Sequence, residues 1–158
     1  MAVRDQLEGK DLRRVVVPIP VKDVGSARRR VEAAEQALAS VDVTALPAGT
    51  GEAFAAELDA ARADLAASVA EVVLVSRGAA AAEVIAARHV REEDGGTNWR
   101  TALPAYLALL CEDEALRDQE WWAGQLARDE WTPGDIDGLV LGVMFLTADV
   151  VRPLVPKD

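Results

Sequence analysis

The chain has 158 residues, 51% of them hydrophobic, and a formal net charge of −10 at pH 7. That apolar content suffices for one packed domain and argues against wholesale disorder. The charge argues against a sequence-independent grip on nucleic acid, which needs clustered Lys and Arg facing phosphate.

Much of the apolar fraction is alanine, so thin, close-packed helices are expected rather than a thick aromatic core. Charge is uneven along the chain. Residues 1–30 hold eight basic against four acidic side chains, a balance of +4, which leaves −14 for the other 128. Such asymmetry fits either a basic edge meeting an acidic surface or a solvated N-terminal arm. The lone cysteine, Cys111, excludes an internal disulfide framework and fits a reducing cytoplasm. Met1–Lys10 lacks the apolar core of a signal peptide, and the longest apolar run, "LVLGVMFLTA", is too short to span a bilayer. A soluble protein of the cytoplasm is expected.

In chain order, residues 1–13 read as a polar arm. "RRVVVPIPV" predicts a strand, and because Pro18 and Pro20 lack ladder donors it should lie at an edge or end there. "SARRRVEAAEQALASV" predicts a helix with Ser26 as its N-cap and a stripe of Ala27, Val31, Ala34, Leu38 and Val41. After the turn-rich "DVTALPAGTG", a second helix is expected from about Glu52, with Phe54, Leu58, Ala61, Leu65 and Val69 or Val72 on one face. The matching stripes predict an antiparallel helical hairpin. "EVVLVSRG" reads as a second strand, since the first would otherwise lack a partner.

From Ala79 onward the pattern is helical. "AAAAEVIAARHV" is one helix, "LPAYLALLCED" a second with Pro104 in its first turn, and "LRDQEWWAGQLARDEW" a third. The fourth, "TPGDIDGLVLGVMFLTADVV", opens with Thr132 as cap, Pro133 at the first helical position and Asp135 as capping-box acid. "RPLVPKD" reads as an extended tail. The fold class is therefore α+β and mostly helical: a β-α-α-β part over 14–78 and a four-helix part over 79–151 within one domain, followed by a tail at 152–158.

Chemistry-bearing motifs are scarce. His89, the only histidine, sits at a helix end and reads as a C-terminal cap. Cys111, followed by three acids at a helix C-terminus, reads as a buried structural thiol. The acidic groups "REED", "CEDE" and "DEW…GDID" lack the spacing of a calcium loop, and no phosphate-cradling or nucleophile-elbow motif occurs. No cofactor, metal site or catalytic residue is assigned.

Three of the four tryptophans, Trp121, Trp122 and Trp131, fall close together among acidic side chains. They line the join between the last two helices, with Trp131 placed to staple onto Ile136. Core filling is favoured for Trp122 and Trp131. Trp121 is open between core and exposed anchor, because adjacent residues on a helix cannot point the same way.

Residues 71–150 also carry a resemblance. "EVVLVSRGAAAAEVIAARH", then "NWRTALPAYLALLCED", then "WWAGQLARDEWTPGDIDGLVLGVMFL" form a progression similar to the tail assembly chaperones of tailed, siphovirus-like phages of actinobacteria. The earlier "VVVPIP", two helices and "EVVLV" extend it over about Arg14–Val151. The chain departs from that family at "VREED", where prolines often follow the helix, and at "LTADV", where Leu-Asn often closes the last helix.

The resemblance implies a non-catalytic protein of the host cell cytoplasm. It would bind the helical tape-measure protein, keep it soluble, and help recruit tail-tube subunits, with self-association. It also implies a short form of a pair whose longer member arises by frameshifting. Trp121, Trp122, Leu126 and Trp131, together with Arg28, Arg29 and Arg30, are the candidate partner-binding residues. A structural virion component, such as a head–tail connector or tail-completion protein, is the alternative. A metal-dependent hydrolase built on the acidic clusters and a DNA-binding regulator rank below it.

Overall fold

The computed structural model describes residues 12–40, 47 and 49–147. The elements run β1 (Arg14–Pro20), α1 (Val24–Ser40), α2 (Thr50–Ala66), β2 (Val69–Val75), α3 (Ala79–Arg88), α4 (Trp99–Leu110), a 3-10 turn (Glu114–Leu116), α5 (Gln119–Leu126) and α6 (Pro133–Thr147). The α+β, predominantly helical expectation holds, with a two-stranded sheet and six helices among the described residues. The expected N-terminal arm, the stripe position Val41 and the C-terminal tail lie largely outside those residues.

The two strands form an antiparallel ribbon. Ser76 N–H donates to Arg13 O (2.8 Å) at one end, and Val21 N–H to Ser68 O (2.8 Å) at the other. This register sets Val17 opposite Val72 and Val15 opposite Leu74. It also turns the odd-numbered residues of β1 toward β2 for hydrogen bonding and the even-numbered ones outward. Pro18 and Pro20 therefore occupy positions whose missing N–H removes no ladder bond, and they blunt the outer edge. The outer edge of β2 is covered instead: Leu74 bridges to Cys111, and Glu112 N–H donates to Val73 O (2.9 Å).

The chain divides into two compact units. One comprises Pro18–Glu71, and the other the chain up to Val17 and from Val72 onward. The sequence reading instead draws its internal boundary after residue 78.

In the Pro18–Glu71 unit, α1 and α2 pair as an antiparallel hairpin around Ala34, Leu58 and Ala61, flanked by Val31 and Leu38. These residues belong to the expected stripes, and the small ones let the helices approach closely. Val69 and Val72, expected on the face of the second helix, lie instead in β2, because α2 ends at Ala66. The cap of α1 differs from expectation. Asp23 holds it, its carboxylate accepting from Ser26 N–H (2.9 Å), so the helix starts at Val24. Ser26 is thus an N3 donor rather than the cap, and the aspartate adds favourable charge at the positive helix end. Ion pairs Arg30–Asp64 and Arg62–Glu35 (3.0 Å) cross the hairpin. Both are exposed and contribute at most about 1 kcal/mol each.

The other unit holds the larger core: Leu74, Leu103, Leu107, Leu110, Cys111, Trp122, Leu139 and Val143 are fully buried. Helix α4 begins at Trp99, five residues before Pro104, so the proline is interior to the helix rather than in its first turn. Its ring leaves the Arg100 carbonyl without its i+4 donor. The break between α3 and α4 is itself ordered. Val90 and Thr97 form an antiparallel bridge, Asn98 N–H donates to His89 O (2.7 Å), and Gly95 (φ 71°) turns the chain between them. Helix α6 opens as expected: Thr132 N–H donates to Asp135 Oδ2 (2.9 Å) and Asp135 N–H to Thr132 Oγ1 (3.2 Å).

Candidate functional site

The tryptophan join is built from the C-terminal end of α4 outward. Past Cys111 the chain turns through Asp113, whose carboxylate caps the 3-10 turn by accepting from Ala115 N–H (2.9 Å). Asp118 then caps α5 by accepting from Trp121 N–H (2.9 Å). Two acids of the acidic neighbourhood thus satisfy helix-start donors. Arg117 ties the segment down: its Nε donates to Cys111 O (3.0 Å) and one terminal nitrogen to Glu112 O (2.7 Å), just beyond the last turn of α4.

With α5 so placed, the adjacent indoles part. Trp122 is only 1% exposed, and its Nε1–H donates to Leu116 O (2.7 Å), so the buried ring keeps its polar handle satisfied. Trp121 is 42% exposed and meets Trp122 edge-on, with centroids 5.0 Å apart and planes at 78°. Trp131 reaches the other side of Trp122, at 6.3 Å and 67°. Leu126 ends α5, partly buried. Trp122 is therefore the core of the cluster, Trp131 a partly covered neighbour and Trp121 the member facing solvent.

The arginines lie on α1, in the other unit. Arg30 pairs with Asp64 and Glu57 (3.8 Å) within that unit. Arg28 and Arg29 are exposed and in no ion pair among the described residues.

Groups with possible chemistry are quiet. Burial pushes the Cys111 thiol up to about 11, opposed by the neighbouring Trp122 indole and by Arg117. His89 terminates α3, and its Nδ1 lies 2.9 Å from Thr101 Oγ1. Among the described residues no group of three or more His, Cys, Asp and Glu side chains is arranged to hold a metal. No described helix is long and apolar enough to cross a membrane.

Two features escaped sequence reasoning. The first is the outer face of α6, where Leu141 (64% exposed), Met144 (44%) and Phe145 (54%) stand at i, i+3 and i+4. The opposite face buries Leu139, Gly142, Val143 and Leu146. A signal existed: eight consecutive apolar or glycine residues, "LVLGVMFL", cannot all face one core from a surface helix.

The second is a cleft of about 650 Å³, partly open to solvent, at the start of α3. Arg13, Arg77, Glu83 and Tyr106 line it, with Leu110 and Leu146 on its apolar wall. Nothing in local sequence pattern marks this cleft, because its residues come from the chain just before β1, the link between β2 and α3, and helices α3, α4 and α6.

The chain matches no protein-family model, no curated protein and no solved structure at a significant level.

Proposed function

We propose that the protein is a tail assembly chaperone that binds the long amphipathic helix of a tape-measure protein and keeps it soluble in the host cytoplasm during tail-tube assembly. The observation that carries this reading is the Leu141–Met144–Phe145 stripe. Three large apolar side chains at helical spacing, on a helix anchored from behind by Leu139 and Val143, form the kind of surface that receives another helix's apolar face. Methionine and phenylalanine suit such a role, since a flexible thioether and a ring adapt to varied knobs. The half-exposed Trp121 is a further anchor of the type enriched at binding surfaces.

The charge of −10 supports the same reading, because like-charged copies along one polymer resist coalescing. The sequence resemblance adds the phage setting.

The test is co-expression with a tape-measure protein, the long helical partner this reading requires. The expected result is a large protein that is insoluble alone and soluble in complex with this chain, with complex lost in Leu141→Gln/Phe145→Gln. Retention of full binding by that double variant would remove the stripe from the site. A large protein that stays insoluble and unbound beside the native chain would refute the chaperone function itself.

A further inference from the structure

We propose that the cleft at the start of α3 is a binding site for a small carboxylate carried on an apolar body. The proposal is independent of the helix-binding stripe.

Three observations converge on that chemistry. Arg77 lines the cleft, and among the described residues its buried Nε has no hydrogen-bond acceptor and its side chain enters no ion pair. A buried guanidinium N–H in that condition is held at a cost, and an anionic oxygen relieves it best. Ala79, the first residue of the ten-residue α3, and its N-cap Gly78 line the same cleft, and among the described residues no side chain caps that helix start. Its partial positive charge adds to that of Arg77 and Arg13 and outweighs Glu83, the one acid among the described residues that line the cleft. Leu110 and Leu146 add hydrocarbon to the wall beside Ser76, Tyr106 and Thr147, whose hydroxyls are already hydrogen-bonded within the protein, and about 650 Å³ falls within the range of small-ligand sites.

These features select the ligand class by exclusion. An inorganic anion would answer Arg77 and leave the leucine wall wet. A plain hydrocarbon would cover the wall and leave Arg77 without an acceptor. Among the described lining residues a cation would meet two arginines against one glutamate. A carboxylate on an apolar body satisfies both sides. The protein's overall negative charge repels anions at long range, so any preference for the carboxylate over a neutral analogue must arise within the cleft.

The experiment titrates the full-length ¹⁵N-labelled chain with octanoate and, separately, with octanol, following backbone amides of Gly78, Ala79 and Ala82. Octanoate is expected to give saturable shifts at these amides with an affinity about tenfold or more above that of octanol, the size of one charge-assisted hydrogen bond. Arg77→Gln is expected to bring octanoate down to the octanol level, and Arg77→Lys to keep part of the preference. Glu83→Gln, which removes a repelling acid from the cleft wall, is expected to tighten octanoate several-fold and leave octanol unchanged. That gain is one a merely destabilised variant does not produce, so it decides the matter should Arg77→Gln fold poorly. Equal affinities for the two probes, absence of saturable shifts at these amides, or a preference that survives Arg77→Gln would each overturn the proposal.

Discussion

Gly142→Ala isolates the packing of α6 on the ribbon, and Gly138→Ala supplies its internal reference. The two glycines lie one turn apart on the same helix, so both substitutions gain the same helix propensity, about 1 kcal/mol at an interior position. Their surroundings differ. A β-carbon at 138 would sit 3.7 Å from Val17 Cγ1, an ordinary van der Waals contact. One at 142 would come within 2.7 Å of Val17 Cγ2 and 3.2 Å of Leu74 Cδ1, with Val15 Cγ1 at 3.6 Å.

Valine is stiff at χ1, and Val17 and Leu74 are themselves buried, so neither neighbour yields cheaply. Overpacking of this kind costs about 1–3 kcal/mol. Gly138→Ala is therefore expected to stabilise by up to about 1 kcal/mol, and Gly142→Ala to be neutral or to destabilise by up to about 2 kcal/mol.

Urea unfolding followed by tryptophan fluorescence is the assay. All four tryptophans lie after Val72, so the signal reports the unit containing α6. Val17→Ala in the Gly142→Ala background should recover part of the loss, a coupling that a double-mutant cycle measures. Equal stabilisation by both alanine variants would refute the close approach of α6 to β1.

Further outcomes follow from the same unit. Trp122→Phe removes the donor to Leu116 O and part of a buried ring, and a loss of about 1–3 kcal/mol is expected by urea unfolding. Thr132→Ala breaks the reciprocal cap with Asp135 and should cost about 0.5–2 kcal/mol by the same assay, with no loss marking the cap as redundant. The Cys111 thiol is raised from 9.0 to about 11 by burial, so the unfolded chain releases this proton first as pH rises. Its contribution to stability is complete below about 9 and declines as pH rises toward about 11, since there the unfolded state binds fewer protons. Thiol labelling at pH 8 should accordingly be orders of magnitude slower in the native chain than in urea, and equal rates would contradict the burial of Cys111.

Much of the fold was legible because it rests on local chemistry. The β-branched run at Val15–Ile19, the Val31–Ala34–Leu38 and Leu58–Ala61 parts of the helical stripes, and the Thr132–Pro133–Asp135 signal each act over a few residues, and each appears where the pattern puts it. Pro18 and Pro20 even indicate which side of β1 stays unpaired, because a residue without an N–H is tolerated only there. Where two local signals compete the reading fails. Asp23 and Ser26 are both good caps, and which one acts depends on where the ribbon releases the chain, at Val21 bonded to Ser68.

Of the candidate site, the sequence by itself determined that two adjacent indoles must diverge and that acids surround them. It also favoured Trp122 for the core, but only the tertiary structure decided that Trp121 faces solvent and that the Leu116 carbonyl satisfies the buried Trp122 Nε1. Likewise, hydropathy declares Leu139, Leu141, Val143 and Phe145 equivalent. The ribbon, reaching α6 from one side through Val17 and Leu74, makes two of them core and leaves the other two on the surface. Burial is a relation between elements distant in the chain, and a one-dimensional pattern states which residues gain from it without stating which receive it.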